Sequence, residues 1–353
     1  MTLEVAIIAD DLTGALDTGT PFVDAGLSVA VAIDVDAIPE ALLTGCNVVV
    51  VNTASRALLG EEAARRVTAA AKALLAASPG IVLKKIDSRL KGNVAAESAA
   101  LAEVFGRGAI IVAPAIPDQQ RLTRDGHVFG RGVTEPLPIA ELFKANDGQV
   151  LVRDAETDSD LDRLVGEYEW RTTLAVGARG LGAAFARKIG QTDRPRKPLA
   201  ASSETIFAFG SRDPITAAQM TKLEGSGALT STIDAPIGAV PREGQFTLPL
   251  LLRCTGEITS DAAAVADRFA KGVKSVIDAT RPEMLMVGGG DTALAVFCEL
   301  GIRVLMPKGE IEAGIPWFDV TTADGLRLRC AVKSGGFGNS DSLLRLIAQN
   351  QAA

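Results

Sequence analysis

Near the start of the chain an apolar run, Val5–Ala9, ends abruptly in two carboxylates, Asp10 and Asp11, within VAIIADDLTGALDTG. A third acid, Asp17, follows six residues later. Adjacent carboxylates at a strand end can accept hydrogen bonds from hydroxyls, raise one another's pKa or hold a divalent cation. Three further apolar runs lead into polar groups. Asn52, Thr53, Ser55 and Arg56 follow Val48–Val51. Lys84 and Lys85 lie in the next run, with Asp87, Ser88, Arg89 and Lys91 just beyond. Asp118, Gln119, Arg121, Arg124, Asp125 and His127 follow Ala109–Ala113. Guanidinium groups pair with a carboxylate in a two-point fork, so this mixture suits a small polyhydroxylated acid. Asp and Asn also cap helices and turns without any function. Arg and Lys are poor caps, however, and four such loops on one edge favour a binding crevice.

The second half carries a different chemistry. Gly288–Gly290 stand between an apolar run and an amphipathic one, in MLMVGGGDTALAVFCELG. KSGGFGNSD, from Lys333 to Asp341, repeats the device ahead of a terminal helix, and GSRDPIT, from Gly210 to Thr216, is a third turn. Glycines there let backbone N–H groups approach an anion at a helix N-terminus. Tight strand-to-helix turns also use glycine for shape alone; three of them in one domain suggest a nucleotide. No G-x-x-x-x-G-K-[ST] occurs, which excludes a P-loop. Gly288, Gly290 and Ala293 fit a loose G-x-G-x-x-A, with Glu310 about twenty residues on, which keeps a dinucleotide reading open.

The elements that must position these groups alternate. Val5–Ala9, Ser28–Ile33, Val48–Val51, Ile81–Ile86, Ala109–Ala113, Val150–Val152 and Thr173–Val176 read as strands, interleaved with helical segments. One helix is expected to stop at Gly26 and another to start at Asn93 as N-cap. Continuous rather than alternating apolar strands indicate a parallel sheet buried on both faces. The expected fold is therefore α/β, with an N-terminal doubly wound, mostly parallel domain over 1–195 and a smaller C-terminal α/β domain over 204–353. The stretch from Gly190 to Ser203, rich in proline and basic residues, reads as the linker.

Composition narrows the function classes. The 353 residues are 47% hydrophobic and 22% charged, the usual balance of a soluble globular protein. No apolar stretch or basic-plus-apolar leader suggests a membrane span or signal, so a cytoplasmic location is expected. Four scattered cysteines and a single histidine argue against disulfides, thiolate metal sites and multi-histidine sites. A net charge of −7 with 4% aromatics does not suit nucleic-acid binding.

IIADDLTGALDTG, VNTASR, LKKIDSRLKGN, APAIPDQQRLTRDG, GSRDPITAAQ, GGGDTA and KSGGFGNSD occur in the order found in four-carbon acid sugar kinases, which the chain resembles over nearly its whole length. The resemblance implies an N-terminal domain binding a sugar acid, a C-terminal domain binding ATP, and phosphoryl transfer in the cleft between them to the terminal hydroxyl of threonate, erythronate or an oxo-tetronate. It implies substrate contacts from Asp10, Asp11, Arg56 and the stretch Lys85, Ile86, Asp87 and Ser88. It implies ATP contacts from Ser211, Gly289, Gly290, Asp291, Thr292, Ser334 and Gly335. The chain departs from the family pattern at Arg89 and Lys91, where threonine and arginine are usual, and at Asp291 and Ala293. Ala313-Gly314-Ile315-Pro316 replaces the usual Pro-Gly-Val-Pro, and Arg89 adds a cation beside the acid pocket.

Under this reading Asp11 orients and late in the step deprotonates the accepting hydroxyl, and Lys85, or else Lys91, stabilises the transferring phosphoryl. Mg²⁺ accompanies ATP, aided by Asp10 or Asp87; no metal ligand is fixed. Two rivals stay open: an NAD-dependent oxidoreductase using the Gly288–Ala293 turn, and a non-catalytic sugar-acid sensor. A homodimer is left open.

Overall fold

Strands made only of Val, Ile, Leu and Ala need cover on both faces, and the chain supplies it with helices. The computed structural model describes residues 3–146, 149–190, 199–241, 245–257 and 261–347. Two compact units divide at Met1–Pro195 and Arg196–Ala353. The stretch 191–198 of the expected linker lies outside the described residues.

Unit 1 runs β1 (Val5–Ala9), α1 (Leu12–Asp24), β2 (Val29–Ala32), α2 (Ile38–Leu43), β3 (Val48–Asn52), α3 (Gly60–Leu75), β4 (Ile81–Lys85), α4 (Val94–Phe105) and β5 (Ala109–Ala113). After these come β6 (Arg121–Arg124), β7 (His127–Gly130), β8 (Leu137–Pro138), β9 (Val150–Val152), α5 (Asp158–Glu167), β10 (Thr173–Gly177) and α6 (Arg179–Ile189). Its main strands lie in the order β2-β3-β1-β4-β10-β5-β9, all parallel. Every residue of β1, β2 and β3 is buried. Helix α1 packs on α6 and α6 on α5, while α3 packs on α4. From β1 the chain turns to β2 and β3 on one side, and from β4 to β5 on the other. The order therefore reverses between β1 and β4, and ligands of such sheets bind beyond the carboxyl ends of the strands at that reversal.

Unit 2 runs β11 (Thr205–Phe209), α7 (Pro214–Gly225), β12 (Ser231–Pro236), β13 (Leu250–Thr255), α8 (Ala262–Thr280), β14 (Met284–Gly288) and α9 (Gly290–Glu299). The short strands β15 (Val304–Leu305) and β16 (Gly309–Glu310) precede β17 (Pro316–Thr321) and β18 (Arg327–Lys333). The sheet order is β12-β13-β11-β14-β18-β17-β16, parallel as far as β18 and antiparallel beyond. Phe207, Phe209, Met284, Met286 and Trp317 centre its core.

Three local expectations need correction. Strands β6, β7 and β8 form a separate antiparallel sheet where the sequence reading placed only polar loop. Asn93 does precede α4, but it makes no side-chain cap bond; its amide instead donates to the Ser55 and Leu58 carbonyls. In place of a terminal helix after Asp341, the described residues hold one 3₁₀ turn, Leu344–Leu346.

Candidate active site

Strand β1 delivers Asp10 and Asp11 to the reversal point, and the turn after β3 docks directly on them. Thr53 N–H bonds to the Ala9 carbonyl, and Ser55 and Arg56 N–H to that of Asp10. This backbone zip carries the Arg56 side chain across both carboxylates. Its Nε and Nη2 donate to Asp10 at 2.9 and 2.8 Å, and its Nη1 and Nη2 to Asp11 at 2.8 and 3.0 Å. Four of the five guanidinium N–H donors are thereby engaged. The pKa of Asp10 is not raised, as its place beside a second carboxylate had suggested. Burial pushes Asp10 up, but Lys84, the Arg56 bonds and charge, and Lys85 bring it below the ordinary aspartate value. Burial would lower Arg56, yet Asp11, Asp10 and Asp87 raise it.

Asp11 is also the N-cap of α1. Its Oδ1 accepts the Gly14 N–H at 2.9 Å and its Oδ2 the Thr13 hydroxyl at 2.8 Å. With the two Arg56 bonds, its acceptor capacity of about four is full. The Thr13 hydroxyl is the one partner that can rotate away.

The neighbouring lysines point to opposite faces of β4, as alternation demands. Lys84 is not in the crevice, contrary to expectation. It is fully buried and paired with Glu97 of α4 at 2.6 Å, and its Nζ also donates to the Lys85 carbonyl at 2.8 Å. Glu97 in turn accepts the Ser55 hydroxyl at 2.5 Å. Lys85, 5% exposed, turns to the first turn of α1. A Cβ on Gly14 would stand 2.4 Å from Asp11 Oδ1 and 2.8 Å from Lys85 Nζ, so a side chain there would push the ammonium or the carboxylate from its present position. Among the described residues Lys85 Nζ has no hydrogen bond and no close ion pair. Its charge is felt by Asp17, whose pKa burial raises against the pull of Lys85 and Arg179.

The loop after β4 completes this edge. Ile86 is buried, its N–H bonded to the Gly177 carbonyl. Asp87 Oδ1 accepts the Arg89 N–H at 2.9 Å, and the buried Ser88 hydroxyl accepts from Arg121 of β6 at 2.5 Å. Gly92 lies against Asp10 and Arg56. Arg89 and Lys91 are exposed.

In unit 2 the three glycine turns meet at the carboxyl ends of the neighbouring strands β11, β14 and β18. Gly210 and Ser211 N–H bond to the Gly288 carbonyl, and Gly289 N–H to that of Lys333. A Cβ on Gly335 would stand 2.7 Å from Ser211 Oγ, and one on Gly210 2.0 Å from Thr292 Oγ1. Ser211, Gly289, Thr292 and Gly335 are thus assembled, with Gly290 and Asp291 in the first turn of α9 and Ser334 in the Lys333–Asp341 turn. The backbone that demands glycine is Gly289, at φ +104°, rather than Gly290. Gly288 serves packing, since a Cβ there would enter the Phe209 ring. Lys333, fully buried, holds the turn that it opens by donating to Thr216 Oγ1 and to the Ser334 and Gly335 carbonyls at 2.8–3.0 Å. Burial pushes its pKa down to about 8 against Asp213 and Glu312. Beside the turns lies a cavity of about 140 Å³ with an apolar wall of Val265, Ala266 and Phe269 and a rim of Arg212, Asp291 and Thr292. The Arg212 guanidinium is pinned over it by the carbonyls of residues 255–257.

The dinucleotide reading required an acid on a strand adjoining β14. Glu310 lies in β16, three strands away, so that geometry is absent.

Two family models match in tandem: a sugar-binding N-terminal domain over residues 5–138 and a nucleotide-binding C-terminal domain over 251–343. The D-threonate kinase of Bordetella bronchiseptica is 29% identical over 392 residues, covering 97% of this chain and 96% of that protein. The chain belongs to the four-carbon acid sugar kinase family. A second member, the 3-oxo-tetronate kinase of Methylobacterium radiotolerans, is 26% identical and covers 97% of this chain and 98% of its own length. The solved Haemophilus influenzae protein HI1011 shares the fold of this family member at TM-score 0.68 and 20% identity, covering 97% of this chain and 98% of that one.

For this sugar kinase family chain, two site residues escaped the sequence reading, Gly14 and Thr13, while Arg121 and Lys333 were placed in a crevice loop and a glycine turn without a role of their own. Gly14 stood in the opening motif and had a signal, since glycine in the first turn of a helix marks close approach. Arg121 had one in Asp125-Gly126, a two-residue hairpin turn with positive φ at both positions, which announces β6 and β7.

Proposed function

We propose that the chain is an ATP-dependent kinase that phosphorylates the terminal hydroxyl of threonate, erythronate or an oxo-tetronate. Residues 1–195 hold the acid and residues 204–353 hold the nucleotide. The observation that carries this reading is the Lys85 ammonium, without a hydrogen bond or close ion pair among the described residues, set against Gly14 beside Asp11 at the sheet's reversal point. Phosphoryl transfer passes through a loose transition state, so catalysis is mainly positioning and charge neutralisation. The accepting hydroxyl takes the place of the Thr13 hydroxyl on Asp11 Oδ2, and Asp11 orients it and accepts its proton late in the step. Lys85 faces the transferring phosphoryl. Arg56 keeps both aspartates in place. In unit 2 the amides and hydroxyls at Ser211, Gly289–Thr292 and Ser334–Gly335 hold the phosphates, and the apolar-walled cavity takes the base.

Among the described residues no three His, Cys, Asp or Glu side chains gather as a metal cage. Magnesium on a nucleotide needs only one or two carboxylates besides phosphate and water. Asp11 is saturated and Asp10 sits behind Arg56, so Asp87, with one oxygen uncommitted, fits that part better. When bound, the ion supplies charge neutralisation between the phosphates. The reading places the enzyme in the cytoplasm, where ATP is supplied.

Coupled ADP release with Mg-ATP over D-threonate, D-erythronate and their oxo forms tests the proposal. Turnover with at least one acid is expected. Acid binding without turnover would leave a sugar-acid sensor instead.

Gly289→Ala should raise the KM for ATP at least tenfold, because φ +104° is open essentially to glycine alone. The KM for the acid should not change. Initial rates with each substrate varied in turn check this, and an unaltered KM for ATP would make the turn a packing device only.

A further inference from the structure

Building on the kinase reading, we propose that the acid's carboxylate is held by a cationic cluster of Arg121, Arg89 and Arg131, and that Arg56 is a positioning residue for the aspartates. Arg56 has one N–H donor left after its four bonds to Asp10 and Asp11, too few for a two-point fork. Arg121 is differently placed. Its Nε and Nη2 both donate to the Arg131 carbonyl, at 3.1 and 3.0 Å, and its Nη1 to Ser88 Oγ at 2.5 Å. One hydrogen on each of Nη1 and Nη2 remains, enough for two bonds to a carboxylate.

The cluster is built rather than accidental. A tight turn fixes Arg121: Ile116 N–H bonds to its carbonyl, its own N–H bonds back to that of Ile116, and Gln120 adopts φ +56°. Gly130 is required beside it, since a Cβ there would stand 2.1 Å from the Gln120 oxygen. Among the described residues none of Arg89, Arg121 and Arg131 has a carboxylate at ion-pair distance. Burial, Arg89 and Arg131 all press the Arg121 pKa down, with Asp87 alone opposing. Gathered cations without a counter-charge are stabilised by an arriving anion. Asp87 joins the two regions, because its charge acts on both Arg56 and Arg121. A four-carbon acid with its terminal hydroxyl at Asp11 would then reach past Asp87 with its carboxylate toward Ser88 and Arg121.

The test measures binding of D-threonate and D-erythronate, each against its neutral methylamide, by calorimetry on the full chain without nucleotide. ADP release is assayed in parallel. Arg121→Met should weaken binding of the acid roughly tenfold to a hundredfold, the scale of a lost charged hydrogen-bond pair, and leave the amide unchanged. The double variant Arg89→Ala, Arg131→Ala, whose side chains are exposed, should show the same selective loss to a lesser degree and decides the matter if Arg121→Met does not fold. Arg56→Met should lower kcat for both ligands while keeping their ratio of affinities. Wild-type affinity for the acid in the Arg89/Arg131 double variant and in a folded Arg121→Met would overturn the cluster. So would equal losses for acid and amide. Wild-type protein that binds the acids without releasing ADP would sink the kinase reading and leave the cluster standing. Protein that binds neither acid overturns both.

Discussion

Asp11→Asn is expected to lower kcat by about a hundredfold or more, the scale of a lost general base. Asparagine can still accept the Gly14 N–H through its carbonyl oxygen, so the α1 cap survives. Its amide, however, turns two donors toward Arg56 Nη1 and the Thr13 hydroxyl, where Asp11 had offered an acceptor to both. A substrate hydroxyl then meets a donor instead of a base. The fold should suffer little, since Arg56 keeps its two-point pair with Asp10 and the Asp11 pair is partly exposed. Steady-state rates beside thermal melts decide it. A variant with near-normal kcat and a clearly lower melting temperature would make Asp11 a structural cap and no more.

Lys84→Met and Lys85→Met should fail in opposite ways although the residues are adjacent. Removing Lys84 strands Glu97 in the core with Ser55 as its remaining partner, a loss of about 3–5 kcal/mol for a broken buried pair. Adding Glu97→Gln should restore much of it, because the uncompensated charge is then gone. Lys85→Met should keep the denaturation midpoint near that of the wild type and lose most of kcat. The two tryptophans make the measurement clean, since Trp170 lies in unit 1 and Trp317 in unit 2. In a Trp317→Phe background the fluorescence transition reports on the unit that contains the mutations. Equal midpoints for the two lysine variants would show that the Lys84–Glu97 pair contributes little to stability.

Much of this architecture was written in local pattern. Unbroken Val, Ile and Ala runs declared the parallel strands of unit 1, because such strands are covered on both faces and tolerate no polar alternation. The same runs located the polar strand ends. Which side chains meet at those ends was less legible. Lys84 and Lys85 read alike in the sequence, and the pleat that separates them assigns a function only once Glu97 of α4 is known to lie behind one of them. Arg56 was expected to contact the acid, and nothing local announced that the zip of Thr53, Ser55 and Arg56 onto β1 would also give it two aspartate partners. Gly289 and Gly290 are likewise indistinguishable until the backbone is built, for a positive φ belongs to the turn as a whole. The β6–β8 sheet escaped because its strands are only two to four residues long, too short to show a periodicity.

That small sheet has an evolutionary consequence. Apart from two bridges, Arg121 to Ile116 and Thr123 to Ala155, its ladder is its own, and β5 keeps β10 and β9 as neighbours whatever residues 117–139 contain. The side chains of Arg121 and Arg131 therefore ride on an appendage that can be rewritten without altering the register of the main sheet. If the proposed carboxylate cluster holds, a lineage can change the anion it prefers by drift in one hairpin, while the carboxylates after β1 and Lys85 of β4, proposed to face the reacting hydroxyl, stay fixed. Taste and chemistry are inherited separately.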